Sequence, residues 1–149
     1  ASVKKFIGVK RRLEYVGEFS NIHLFDDFAH HPTAIEASLK AMQSKFHPSK
    51  IYAIIELASN TMRKGSLKSQ LKESFHAAEY LWILDSGDAE WDIEKEFLEI
   101  KNIGIVKNLH DLSDQLMIKL KSQDTVVIMT NKNSGRIRNI FSKIPTSLR

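Results

Sequence analysis

Three polar segments of this sequence, which we predict to be loops, combine side chains that could bind an anionic ligand. Residues 26–32 hold two carboxylates and two imidazoles directly before a predicted helix, residues 56–65 are rich in hydroxyl, amide and cationic groups, and residues 130–135 are small and polar. The N-terminus of a helix attracts anions through its unpaired N–H groups and its dipole. The same residue types also cap helices and close turns without any ligand, so a purely structural role stays open for each segment.

The residues do not predict a metal site or a self-contained catalytic centre. His30 and His31 are adjacent, and neighbouring residues rarely ligate one metal ion together. The chain has no cysteine, which excludes a disulfide, a thiolate metal site and a cysteine nucleophile. The motifs of a P-loop, a dinucleotide fold, a serine hydrolase and a zinc protease are also missing. The polar segments therefore indicate binding more than independent chemistry.

Alternating strand and helix patterns predict the elements that position these segments. Short apolar runs at 51–55, 80–84, 103–106 and 125–129 are typical of strands buried on both faces, and apolar residues at helical spacing lie between them. This order predicts an α/β, Rossmann-like fold, in which a mostly parallel sheet carries helices on both faces. Residues 13–18 and 22–25 predict an antiparallel hairpin at its N-terminal edge. A helix should begin near Pro32 or Thr33, since Thr33 and Glu36 have capping-box spacing.

Length and charge limit the class of protein. With 149 residues the chain fits one domain, and it has neither a secretory signal nor an apolar run of the roughly 20 residues that cross a membrane, so we expect a cytoplasmic protein. All 18 acidic residues lie between Glu14 and Asp124, which leaves two basic ends. Such ends favour an anionic partner. One alternative is therefore a stand-alone nucleotide or nucleic-acid binding module, although the aromatic residues lie in the apolar runs and not among the basic ones.

Two strings of residues resemble the C-terminal domain of the Mur ligase family. They are residues 8–14 (GVKRRLE) and residues 26–35 (DDFAHHPTAI). The second string, together with residues 59–62 (SNTM), is similar to the branch of the family that adds a peptide and less similar to the branch that adds alanine. The resemblance covers essentially the whole chain, 1–149.

The resemblance implies the last domain of a larger ATP-dependent amide ligase. An N-terminal domain would grip the UDP-sugar, and a central domain would carry the P-loop and most of the contacts to ATP and Mg²⁺. The enzyme would join L-Ala-γ-D-Glu-meso-diaminopimelate, a free murein tripeptide, to UDP-N-acetylmuramate through an acyl phosphate, in peptidoglycan recycling. The C-terminal domain would position the incoming amine. No membrane or nucleic-acid partner is expected, and this chain alone should be inactive.

Roles for individual residues follow from the same resemblance. Arg12 would approach the ATP phosphates, Asp27 would face the nucleotide ribose, and His30 would line the pocket of the incoming amine, which makes Arg12 and His30 the candidate catalytic residues. The peptide itself would be contacted by Ser59, Asn60, Thr61 and Arg63.

The chain departs from the family pattern at two places. It has Glu56-Leu57-Ala58 where the family usually has Glu-Pro-Arg, and residues 132–134 (KNS) replace most glycines of the turn after the last strand. Three interpretations stay open. Lys132 or Arg63 could supply the lost charge, the peptide preference could have shifted, or the parent protein could have lost this activity.

Overall fold

Six strands form one sheet, with helices on both of its faces, in the computed structural model, which describes residues 13–29, 31–58 and 60–144. The strands are β1 (Glu14–Phe19), β2 (Ile22–Asp27), β3 (Ile51–Glu56), β4 (Tyr80–Leu84), β5 (Ile103–Val106) and β6 (Thr125–Met129). The helices are α1 (Pro32–Phe46), α2 (Asn60–Lys64), α3 (Lys68–Glu73), α4 (Ile93–Glu96), α5 (Leu109–Lys119) and α6 (Gly135–Phe141). No helix in these described ranges is both long and apolar enough to cross a membrane.

The order of the strands is β1-β2-β6-β3-β4-β5. All neighbouring pairs from β2 to β5 in this order are parallel, and β6 lies between β2 and β3. Among the strands that the structure describes, only β1 and β2 pair antiparallel, which confirms the predicted edge hairpin. Phe19 belongs to β1, although the sequence pattern placed it in the turn. Ser20 and Asn21 make the turn alone, and their φ angles of 53° and 67° are those that a two-residue hairpin turn needs.

Side chains alternate between the two faces of the sheet, as the pleat of a strand requires. In β3, Ile51, Ala53 and Ile55 pack into one apolar cluster, whereas Tyr52 and Ile54 pack into the other. Helices α1, α3 and α4 cover the first face, and α5 and α6 cover the second. The prediction of helices on both faces is therefore confirmed. Because both faces of the sheet are covered, the strands are continuously apolar, and each helix has an apolar side that packs on the sheet.

Several helix boundaries differ from the sequence pattern. Helix α1 begins at Pro32 as predicted, but its N-cap is His31, whose Nδ1 accepts a hydrogen bond from the Thr33 N–H at 3.2 Å. The proposed capping box of Thr33 with Glu36 is thus wrong. Helices α3 and α4 are shorter than the apolar periodicity suggested, because Phe75 and Phe97 reach the core from the turns that follow them.

The stability of the fold at high pH depends on the ionisation of Tyr52. Its side chain is only 5% exposed, and its ring stacks on Trp82 at 5.7 Å. Burial, assisted by the nearby charges of Asp124 and Glu79, raises the pKa of Tyr52 from 10.0 to about 12. The folded chain therefore keeps a proton that the unfolded chain releases. This contribution to stability is complete below pH 10.0 and is lost as the pH rises towards about 12.

Replacing Tyr52 by Phe should reduce the loss of stability at high pH. Between about pH 8.5 and about pH 11 the wild type should lose on the order of 1 kcal/mol more than the Tyr52→Phe variant. Urea unfolding of both proteins at the two pH values measures the difference. Tyr15→Phe, at an exposed position, is the control, and equal pH slopes for wild type and Tyr52→Phe would contradict the prediction.

Candidate functional site

At the carboxyl edge of the sheet, beside the end of β6, the connections that follow neighbouring strands leave towards opposite faces. The chain leaves β2 and β3 towards the face covered by α1 and α3, but it leaves β6 towards the opposite face, covered by α6. Since β6 lies between β2 and β3, neighbouring connections diverge at its end. Open parallel sheets bind ligands at such a point, where the connections change face.

Glu56, the last residue of β3, contacts the segment that follows β6. Its side chain is 4% exposed and accepts a hydrogen bond from Thr130 Oγ1 at 2.8 Å. Arg136 Nη2, from α6, lies 2.7 Å and 2.9 Å from the two carboxylate oxygens. A buried carboxylate needs such partners, because the loss of hydration of an unpaired charge costs several kcal/mol. Glu56 thereby ties β3, the end of β6 and α6 together.

Asp26 forms the corresponding link from β2. It is fully buried, and its Oδ2 accepts a hydrogen bond from Ser134 Oγ at 2.5 Å. Arg138 Nε lies 3.8 Å from the same oxygen, and the backbone N–H of Thr130 donates to the carbonyl of Asp27 at 3.2 Å. Two arginines of α6 are therefore placed beside two buried acids, one from each strand that flanks β6.

The segment after β6 uses its polar side chains to shape its own backbone. Thr130 Oγ1 accepts a hydrogen bond from the Lys132 N–H at 3.0 Å, and Asn133 Oδ1 accepts one from the Gly135 N–H at 2.8 Å. Both are local contacts that stabilise tight turns. The structural role that the sequence left open for residues 130–135 therefore applies, and polar side chains fix a turn for which the family pattern uses glycines.

Some of the predicted site residues lie at this edge of the sheet, and others lie outside the described residues. Asp27 ends β2 at this edge; its side chain is fully buried, and its Oδ1 accepts a hydrogen bond from the Ala29 N–H at 3.0 Å. Contact of Asp27 with a ribose stays a prediction. Arg63 is half-buried in α2, a helix that begins at Asn60 and also contains Thr61, where the sequence suggested a loop. The remaining predicted site residues lie outside the described residues: Arg12, His30 and Ser59.

Sequence reasoning missed Arg136 as a site residue. The only signal in the sequence was its membership of the basic C-terminal end, since helical spacing says nothing about which strand a helix end approaches. Its side chain is 43% exposed while its Nη2 is held by Glu56. Arg136 therefore adds a third candidate, beside Lys132 and Arg63, for the cation that is absent at Ala58.

The edge is suited to binding and orienting an anionic group. A guanidinium fixed by a carboxylate keeps its charge and presents N–H groups in a planar array that matches carboxylates and phosphates. Within the segments that the structure describes, no group of three or more His, Asp or Glu residues could hold a metal ion.

Removing the cation of Arg136 should destabilise the fold measurably. In Arg136→Met the buried carboxylate of Glu56 loses its ion pair, which should cost about 1–3 kcal/mol of unfolding free energy, less than a fully buried pair because solvent reaches the guanidinium. Denaturant unfolding measures this. Lys40→Met is the matched control, since Lys40 pairs with Glu36 at 3.1 Å on an exposed helix surface, and the control should change stability by less than about 1 kcal/mol. Equal effects in the two variants would contradict the prediction.

Comparisons with known proteins agree with this architecture. The family model of the Mur ligase glutamate ligase domain matches residues 11–131. A Haemophilus influenzae protein named UDP-N-acetylmuramate–L-alanyl-gamma-D-glutamyl-meso-2,6-diaminoheptandioate ligase is 33% identical over 93% of this chain and 31% of its own length. A Caldicellulosiruptor bescii protein named UDP-N-acetylmuramate–L-alanine ligase is also 33% identical, over 95% of this chain and 33% of its own length.

A crystal structure shows the same fold. The murein peptide ligase of Psychrobacter arcticus superimposes with a TM-score of 0.78 at 29% identity, over 97% of this chain and 32% of that one. This chain thus spans about a third of the length of each of these relatives. The sequence strings, the mixed sheet and the matched family model agree, and the chain belongs to the Mur ligase family, as its glutamate ligase domain.

Proposed function

We propose that this chain is the peptide-binding C-terminal domain of an ATP-dependent ligase that joins L-Ala-γ-D-Glu-meso-diaminopimelate to UDP-N-acetylmuramate. The observation that carries the proposal is the 33% identity, over 93% of this chain, to a relative named for these two substrates. Residues 26–35, which resemble the peptide-adding branch, support the same choice. The parent enzyme would act in the cytoplasm, in the recycling of peptidoglycan peptides.

The carboxyl edge of the sheet would receive the incoming peptide. The peptide carries several carboxylates, and Arg63 and Arg136 are cationic side chains that follow β3 and β6. Because Glu56 already holds Nη2 of Arg136, the guanidinium would be oriented before the peptide arrives. Such preorganisation lowers the entropic cost of binding. Asn60, Thr61 and Ser59 would add hydrogen bonds, as the resemblance implies.

Binding of ATP and Mg²⁺ would belong mainly to the central domain of the parent protein. When bound, ATP supplies the phosphoryl group that activates the muramoyl carboxylate. The described residues fit a supporting role, since the turn at 130–135 uses polar side chains in its own hydrogen bonds and does not form a P-loop. Arg12 would place a guanidinium near the transferred phosphoryl group, Asp27 would lie towards the ribose, and His30 would line the pocket of the attacking amine.

A second candidate is the ligation of free L-alanine. The relative named UDP-N-acetylmuramate–L-alanine ligase has the same identity to this chain, 33%, over 95% of this chain. Identity therefore does not distinguish the two branches. The charges of the two substrates distinguish the branches, because alanine has one carboxylate and the tripeptide has several. The additional carboxylates need cations such as Arg63 and Arg136.

A comparison of the two amines as substrates tests the proposed function. The full-length parent protein is incubated with ATP, UDP-N-acetylmuramate and either the tripeptide or L-alanine, and amide formation is measured by mass spectrometry together with ADP release. We expect the tripeptide to give the higher kcat/KM. Preference for alanine would replace the proposal by the second candidate, and no amide with either amine would reject both.

Arg12→Ala in the full-length protein should slow turnover by roughly two to three orders of magnitude, because a fixed cation at a transferred phosphoryl group contributes on that scale. The measurement is steady-state ADP release at saturating substrates. The control Lys40→Ala removes an exposed charge from the outer surface of α1 and should leave turnover unchanged. Wild-type turnover in Arg12→Ala would remove Arg12 from the phosphate site.

A further inference from the structure

Helix α2 depends on contacts from outside itself. It has five residues, Asn60–Lys64, and a helix of this length is not stable alone in water. Two of its backbone carbonyls are bonded by the segment that follows β4. Trp91 Nε1 donates to the carbonyl of Met62 at 2.7 Å, and the N–H of Glu90 donates to the carbonyl of Arg63 at 2.6 Å. These two bonds fix the position of the helix relative to the neighbouring strand connection.

The indole ring of Trp91 also packs against the end of α2. Gly65 follows the helix with a φ angle of +79°, and a Cβ atom added there would lie 2.7 Å from Trp91 Cδ1. Glycine thus allows both the left-handed turn and the close approach of the ring. Trp91 is itself fixed by Phe97, whose ring centroid lies 6.3 Å away, and Met62 is 2% exposed in the adjoining apolar cluster.

A second contact joins the same two segments farther along the chain. Lys72 Nζ lies 3.0 Å from Glu96 Oε2, which connects α3 to α4. Both side chains are partly exposed, so this ion pair contributes less than the half-buried indole bond. The indole of Trp91 and the backbone N–H of Glu90 therefore link α2 to the segment after β4, whereas the ion pair joins α3 to α4.

We propose that Trp91 is a positioning residue for the incoming amine substrate, because it holds α2 and with it Arg63 at the carboxyl edge of the sheet. This inference rests on the proposed function, in which α2 contacts the peptide. Trp91 itself does not need to touch the substrate. Its loss should weaken binding of the incoming amine while leaving the nucleotide, held by another domain, unaffected.

The chain offers a matched control for this hydrogen bond. Trp82 Nε1 donates to Gln115 Oε1 at 3.0 Å, but Trp82 is fully buried on the opposite face of the sheet, beneath α5. Trp91→Phe and Trp82→Phe therefore each remove one indole hydrogen bond and retain an aromatic ring. Only Trp91→Phe removes one of the two bonds that fix α2, and the bond from the Glu90 N–H to the carbonyl of Arg63 stays in both variants.

The test measures both variants in the full-length parent protein. In Trp91→Phe, the KM for the tripeptide should rise roughly five-fold, the equivalent of one hydrogen bond, while the KM for ATP and kcat stay within about two-fold of wild type. Hydrogen exchange of the amides of residues 60–65 should accelerate by a similar factor. Trp82→Phe should leave both KM values and this exchange rate unchanged, and thermal unfolding shows that both variants are folded.

The outcomes separate this proposal from the proposed function. A wild type that ligates the tripeptide, together with a Trp91→Phe variant that keeps its KM values and its exchange rates, overturns the positioning role alone. Equal rises of the KM for tripeptide and for ATP in both variants also overturn it, because they would indicate a general loss of stability. A wild type that forms no amide from the tripeptide rejects the proposed function, and the role of Trp91 in substrate binding is rejected with it.

Discussion

The side chain of Glu56 connects elements that are far apart in the chain. Its carboxylate is buried at the end of β3, and a hydrogen bond from Thr130 and an ion pair with Arg136 replace the lost hydration. Without both partners a charge at this position would be costly. The end of β6 and the start of α6 must therefore meet β3 at the carboxyl edge. The position of the turn at 130–135 and the orientation of the arginine both depend on this contact.

Buried ion pairs of this kind contribute more to geometry than to net stability. Apolar residues of similar volume often replace such pairs without loss of stability, whereas the removal of one partner leaves an uncompensated charge. Asp26 repeats the arrangement with Ser134 and Arg138 on the other side of β6. The two acids thus hold α6 at two points. We interpret the edge as a preorganised binding surface, because its cations are oriented by the protein before any ligand arrives.

Sequence reasoning succeeded where a pattern has a local physical cause. Strands buried on both faces must be continuously apolar, so β3 to β6 could be predicted almost to the residue. Helix caps and several helix ends could not, because the ring of His31 caps α1 and because α3 and α4 end before side chains that reach the core from turns. Residues 56–65 were predicted to be a loop, although α2 forms there, since the bonds that hold α2 come from Glu90 and Trp91, and Trp91 lies 29 residues after Met62.

By itself the sequence determined the order of strands and helices along the chain, the antiparallel edge and the family. Periodicity and short motifs are local properties, so they can be recognised without knowing which residues meet in space. The candidate edge was also predictable, since the carboxyl ends of parallel strands always meet on one side of the sheet. Tertiary structure decided which side chains work together there. The partnership of Glu56 with Arg136 spans 80 positions, and no local pattern contains it, because a long-range contact is set by how strands pair and where a helix returns.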